Sequence, residues 1–120
     1  MSVLIPGFQL KTVTIASGQT VSDAADIGQF TLTGIKIPDD VEGTELTFHG
    51  SVDGTNFFPI NSPETAGSSI AAAISSVGAI IPLITDNFVG IQYLKVVSDS
   101  AQTGDAEIDL LTVRATEGRG

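Results

Sequence analysis

The sequence predicts an all-β chain folded as a single β-sandwich domain of about eight strands, and three observations carry that reading. Thirteen Ile and ten Val stand against six Phe, one Tyr and no Trp, a β-branched composition that suits pleated sheets. Apolar residues recur at every second position through most of the chain, where an amphipathic helix would repeat them every third or fourth. Turn signals fall at intervals of roughly 8–12 residues, the spacing of short strands in a sandwich or barrel. A parallel α/β fold would need crossover helices of about ten residues or more between its strands, and the sequence offers none. Jelly-roll topology is favoured, with an immunoglobulin-like arrangement second. The length of 120 residues fits one domain, enough to bury roughly two-thirds of the unfolded surface without staples.

Taken in order, residues 1–8 contain Pro6-Gly7 and no period, and read as an extended N-terminal arm. Residues 9–115 form the sandwich, and residues 116–120 (TEGRG) a polar, flexible C-terminal tail. Val13 and Ile15 alternate with Thr12 and Thr14, giving a first strand over residues 10–16. Thr20-Val21 starts a short strand after the Ser17-Gly18-Gln19 turn. Phe30 and Leu32 alternate with threonines until Gly34, after which Ile35 and Ile37 continue on the other parity. A lone Gly at such a change of parity predicts a β-bulge. Pro38-Asp39-Asp40 ends that strand.

The cleanest alternation follows, with Leu46, Phe48, Gly50 and Val52 on one face and Thr47, His49 and Ser51 on the other. Asp53-Gly54-Thr55-Asn56 is a loop signal leading into residues 57–60, a short strand that Pro59 confines to an edge or a strand end. Ile70, Ala73, Ile74 and Val77 fit a helical face, but Ser75-Ser76 and Gly78 cut it short. A hairpin of residues 69–74 and 79–84 is preferred there. Asp86 reads as the N-cap of one helical turn over residues 87–89, ended by Gly90. Residues 91–98 are apolar on both parities, as a central strand should be. The final strand, 106–115, is expected to pair back on it.

Charge and cysteine content exclude several functions. Five Lys and Arg against fourteen Asp and Glu give a net charge of −9. The cations Lys11, Lys36, Lys95, Arg114 and Arg119 are scattered, so neither a nucleic-acid backbone nor an anionic membrane finds a basic patch. The absence of Cys removes disulfides, thiolate metal sites and thiol nucleophiles. The N-terminus has no basic n-region or apolar core of useful length, so no signal peptide is expected. The most apolar stretch, residues 70–84, is shorter than a spanning helix needs and carries Pro82 and Gly78.

No catalytic, cofactor-binding or metal-binding residues are assigned. His49 sits on the polar parity of its strand, a solvent-facing or interface position. Ser51 shares that face, but no acidic residue there would orient a triad. Asp39, Asp40, Glu42 and Glu45 form one acidic group, and Asp105, Glu107 and Asp109 another that alternates along one strand face. An acid/base pair is conceivable among the latter, but a solvated strand face is the simpler reading. Asp53-Gly54-Thr55-Asn56 offers oxygens for calcium, yet it lacks the spacing and bidentate Glu of an EF-hand loop, and Asp-Gly is what a tight loop prefers. Carbohydrate binding usually draws on exposed aromatics, which are few here. No enzyme is expected. What remains is a subunit that works by contact, through strand edges and arms.

Three segments carry a resemblance. Residues 30–38 (FTLTGIKIP), residues 46–57 (LTFHGSVDGTNF) and residues 87–96 (NFVGIQYLKV) are similar to a recurring set in small virion proteins of tailed bacteriophages, spanning about residues 15–115. The chain resembles their head decoration (cement) proteins and related head or tail proteins. The resemblance implies a jelly-roll or immunoglobulin-like sandwich on the capsid exterior, made in the host cytoplasm. It further implies the major capsid (coat) protein as partner, with self-association as a trimer. Such a subunit bridges capsomers and opposes rupture of the pressurised shell. The alternatives are a neck, tail or fibre-base component, or a glycan or host-surface binding module, calcium-assisted through Asp53 and Asn56.

Overall fold

The computed structural model describes residues 8–28, 30–62, 67–74 and 78–114. They form nine strands: β1 (Phe8–Ile15), β2 (Ala25–Asp26), β3 (Phe30–Ile37), β4 (Glu45–Ser51), β5 (Phe58–Pro59), β6 (Ala71–Ala73), β7 (Ala79–Pro82), β8 (Tyr93–Ser98) and β9 (Ala106–Arg114). One 3-10 turn, Thr85–Phe88, precedes β8. All pairings are antiparallel. One sheet has the order β1-β9-β3-β7; the other has β2-β8-β4-β5, with β6 beside β5 on the same edge of β4.

This topology is a jelly roll. The chain changes sheet at every connection from β1 to β4 and again from β6 to β9, and only β4, β5 and β6 follow one another in a single sheet. Taking β5 and β6 as one interrupted strand gives eight positions, two interleaved Greek keys. Val13, Ile15, Leu32, Ile35, Ile37, Ile108 and Leu110 from the first sheet face Leu46, Phe48, Leu94 and Val96 from the second, all essentially inaccessible. Phe48 meets Phe88 of the 3-10 turn edge to face, with ring centroids 5.4 Å apart.

Local expectations held where the rule is local. The β3–β9 register slips between Leu32 and Gly34, as the parity change predicts. Residues 53–56 join β4 to β5, and β5 lies on the edge of its sheet, as Pro59 requires. β8 lies between β2 and β4. Thr20-Val21 forms no strand of its own, only a bridge from Val21 to Val97.

Four expectations are corrected. Residues 69–74 and 79–84 do not make a hairpin, because β6 pairs with β4 and β7 with β3, in opposite sheets. β9 does not pair with β8, because residues 99–105 cross between the sheets and place β9 between β1 and β3. Val52 does not continue the inward row, because β4 ends at Ser51 and leaves Val52 76% exposed. Asp86 is not an N-cap: the 3-10 turn starts at Thr85 after an extended Ile84, without a side-chain cap bond. The expected arm overlaps β1 at Phe8, and its remainder, like the tail, lies outside the described residues.

Candidate functional site

β4 ends where the polar row meets the hairpin loop, and the loop folds on its own donors. The buried Ser51 hydroxyl donates to Asp53 Oδ1 (2.9 Å) and accepts the N–H groups of Asp53 (3.2 Å) and Gly54 (2.9 Å). Asp53 Oδ1 also accepts the Thr55 and Asn56 N–H groups, each at 2.9 Å, and Oδ2 accepts Asn56 Nδ2 at 3.0 Å. These bonds, the Asn56 and Thr55 amides foremost, hold the Asp53 carboxyl well below its ordinary range. Gly54 is required twice over. Its φ is +80°, and a Cβ there would lie 3.2 Å from the Tyr93 ring.

The loop is therefore explained by its own hydrogen bonds. The calcium reading gains nothing from the geometry, since the Asp53 oxygens are turned onto the loop's amides. Among the described residues no group of three or more His, Asp or Glu could hold a metal ion.

Beside this loop lies an apolar cleft of about 320 Å³. Gly50 forms its floor, Ile60 and Ile91 its walls, and Val52 and Phe58 its rim. A Cβ on Gly50 would stand 3.0 Å from Ile91 Cγ2 and 3.1 Å from Ile60 Cδ1, so the two isoleucines close over the glycine and would have to shift to admit a side chain. The cleft thus sits at the end of the sandwich that carries the β4–β5 and β7–β8 connections. The Gln92 N–H bonds the Ser51 carbonyl (3.1 Å) and ties those two connections together. Val52 and Phe58 expose 76% and 66% of their surface, and Ile84 and Val89 stand out from the β7–β8 connection. An apolar side chain or a ring from a partner can be seated there, beside the polar groups of Ser51, Asp53 and Asn56.

The other residues singled out from sequence are dispersed. Glu107 and Asp109 on the outer face of β9 and Asp105 just before it line a polar depression of about 330 Å³ with Lys36, Pro38 and Asp40. Asp105 Oδ1 accepts the Ser17 N–H (2.9 Å) and Asp109 Oδ1 accepts the Thr12 hydroxyl (2.8 Å), so two of the three hold neighbouring backbone and strand in place. His49 is half-buried on β4 between Lys95 and Pro59, in the opposite sheet from that depression. Ser51 is buried and its hydroxyl is engaged by Asp53 and the loop amides. Asp39 and Asp40 are exposed in a turn, Glu45 is exposed at the start of β4, and Glu42 is held by Gln102.

Sequence reasoning missed the cleft. The available signal was a Gly on the inward parity of β4, followed by consecutive phenylalanines next to a proline.

No protein-family model matches the chain, and comparison with curated proteins found no match. Among solved structures, the chain is similar to CBM32-1, a carbohydrate-binding module from a family 31 glycoside hydrolase of Clostridium perfringens. The TM-score is 0.53 at 15% identity, over 83% of this chain and 75% of that one. The likeness is one of fold: both are β-sandwiches.

Proposed function

We propose that the chain is a structural virion protein that decorates the outside of a bacteriophage capsid and stabilises it by bridging coat subunits, acting by contact and not by catalysis. The observation that carries the reading is the apolar open end of the sandwich. Large apolar side chains exposed together mark interaction surfaces, and here Val52 and Phe58 rim an apolar cleft over Gly50. Two of the three segments that resemble virion proteins, residues 46–57 and 87–96, build that end. Many identical contacts of about 800 Å² each would sum to a large effect on a shell. The net charge of −9 disfavours the packaged nucleic acid as partner.

A second reading, a glycan-binding module, is favoured by the fold likeness to a carbohydrate-binding module and by the Phe58 ring beside Asn56 at the cleft. Quantitative mass spectrometry of purified particles separates the two. A copy number near that of the coat protein is expected, and a much lower one moves the chain to the neck or tail. Absence from particles, with glycan-array binding that Phe58→Ala abolishes, replaces the first reading by the second.

A further inference from the structure

The sheet edges differ in how they are guarded. β7 has four residues and ends in Pro82, β2 has two, β5 has two including Pro59, and β6 has three. Short strands and prolines are how native sheets avoid pairing with other chains. β1 has neither guard, and Asp23 covers its outward backbone groups only at Thr14. It runs for eight residues without a proline, its only charge is Lys11, and Phe8 and Leu10 are 49% and 50% exposed.

Two contacts fix which way its backbone groups point. The Thr14 N–H bonds Asp23 Oδ1 (2.8 Å) and the Thr14 carbonyl accepts the Asp23 N–H (3.2 Å), so the even-numbered residues turn away from β9. The Gln9 carbonyl accepts the Thr112 hydroxyl (2.6 Å), so the odd-numbered ones turn toward it. The outward N–H and C=O groups of Leu10 and Thr12 meet no partner among the described residues.

We propose that this edge pairs with β1 of a second copy, antiparallel about a two-fold axis at Leu10. In that register Leu10 lies opposite Leu10 of the partner subunit and Phe8 opposite Thr12 of the partner subunit. Lys11 faces Gln9 of the partner subunit, so no like charges are directly opposed. The apolar face of Phe8 and Leu10, backed by their β9 neighbours Val113 and Leu111, continues across the axis. The acidic residues Glu107 and Asp109 pair with Thr14 and Thr12, on one side of Leu10. The axis therefore carries the two acidic regions to opposite ends, despite a charge of −9 on each copy. The pairing surface is self-complementary, as a two-fold contact requires. A three-fold ring would instead need β1 to meet a different edge, and the other edges are short or hold proline. The inference goes beyond the proposed function and stands whether the cleft binds a shell or a glycan.

The full chain is tested by light scattering at concentrations up to about 1 mM and by oxidative cross-linking, which the absence of native Cys makes unambiguous. Expected are a mass of twice 12.3 kDa, a pairing weakened about tenfold or more by Leu10→Lys, and a covalent dimer from Leu10→Cys but not from Thr14→Cys. Paired residues on the axis bring their Cα atoms about 5.5 Å apart, within disulfide range, while Thr14 is four positions from it. A wild-type mass of one or three chains, a Leu10→Lys variant that pairs as well as wild type, or cross-linking of Thr14→Cys as fast as Leu10→Cys overturns the inference.

Discussion

The two ends of the sandwich are closed in opposite ways. At one end the β3–β4 and β8–β9 connections are tied by buried polar groups. Gln102, 3% exposed, accepts the Glu42 N–H at Oε1 (2.9 Å) and donates from Nε2 to the carbonyls of Glu42 (3.0 Å) and Ser100 (3.1 Å). The Ser98 hydroxyl donates to the same Glu42 carbonyl (2.7 Å), and Asp99 accepts both the N–H and the hydroxyl of Thr44. Every one of those groups is occupied by another. At the far end no polar network closes over Gly50, only Ile60 and Ile91, and the rim residues Val52 and Phe58 are exposed to solvent. A satisfied polar end is built to hold, since disturbing it strands buried donors. An unfilled apolar end holds little by itself and is available to something else. The comparison locates interaction and stability at opposite ends of one core.

The largest effect is expected beneath the open end. Phe48 is fully buried against Phe88, and Phe48→Ala should cost about 3–5 kcal/mol in urea unfolding. Gln102→Ala comes next. It removes the three part-buried bonds that the buried Gln102 makes to Glu42 and Ser100 and should cost about 1–3 kcal/mol. Phe58→Ala, on the rim, should change stability by no more than about 0.5 kcal/mol while abolishing whatever the cleft binds. The order matters more than the values. If Phe58→Ala destabilises the free protein as much as Gln102→Ala does, both ends are structural and the distinction between them fails.

The residues that set this contrast were unequally legible in the sequence. The alternation of Leu46 and Phe48, the slip at Gly34 and the loop after Ser51 follow from rules that act within a few residues, and the chain obeys them. Which sheet a strand joins is decided by partners far away in sequence. Ala71–Ala73 and Ala79–Pro82 are too short and too plain to declare those partners, and they were expected to meet each other when β4 and β3 take them. The same non-local choice sends β9 to β1 instead of β8. Gln102 sits in a run of turn-forming residues with nothing to mark it as buried, because its burial depends on Glu42, sixty positions earlier. The cleft was not legible: Gly50 marks a position without a side chain, but which distant residues, Ile60 and Ile91, close over it is again a non-local choice.

Acid offers the finest probe of the contrast, because each end contains one carboxylate with a lowered pKa. Asp53 is lowered by the Asn56 and Thr55 amides of the hairpin loop, and Asp99 by the Thr44 hydroxyl and amide. A carboxylate depressed on folding contributes stability that is fully present above its unfolded value, 3.8 here, and is lost as pH falls below that toward the folded value. Both are exposed to solvent, which screens the contribution and makes it the smallest of the expected effects. Urea midpoints measured from pH 7 to pH 2 should therefore fall less steeply below about pH 4 in Asp53→Asn and in Asp99→Asn than in wild type. Asp53 bonds only within its own loop, whereas Asp99 ties two connections together, so at pH 7 Asp99→Asn should lower the midpoint further than Asp53→Asn. Equal losses at pH 7 would mean that the open end's loop is as much a part of the cooperative structure as the polar staple opposite it.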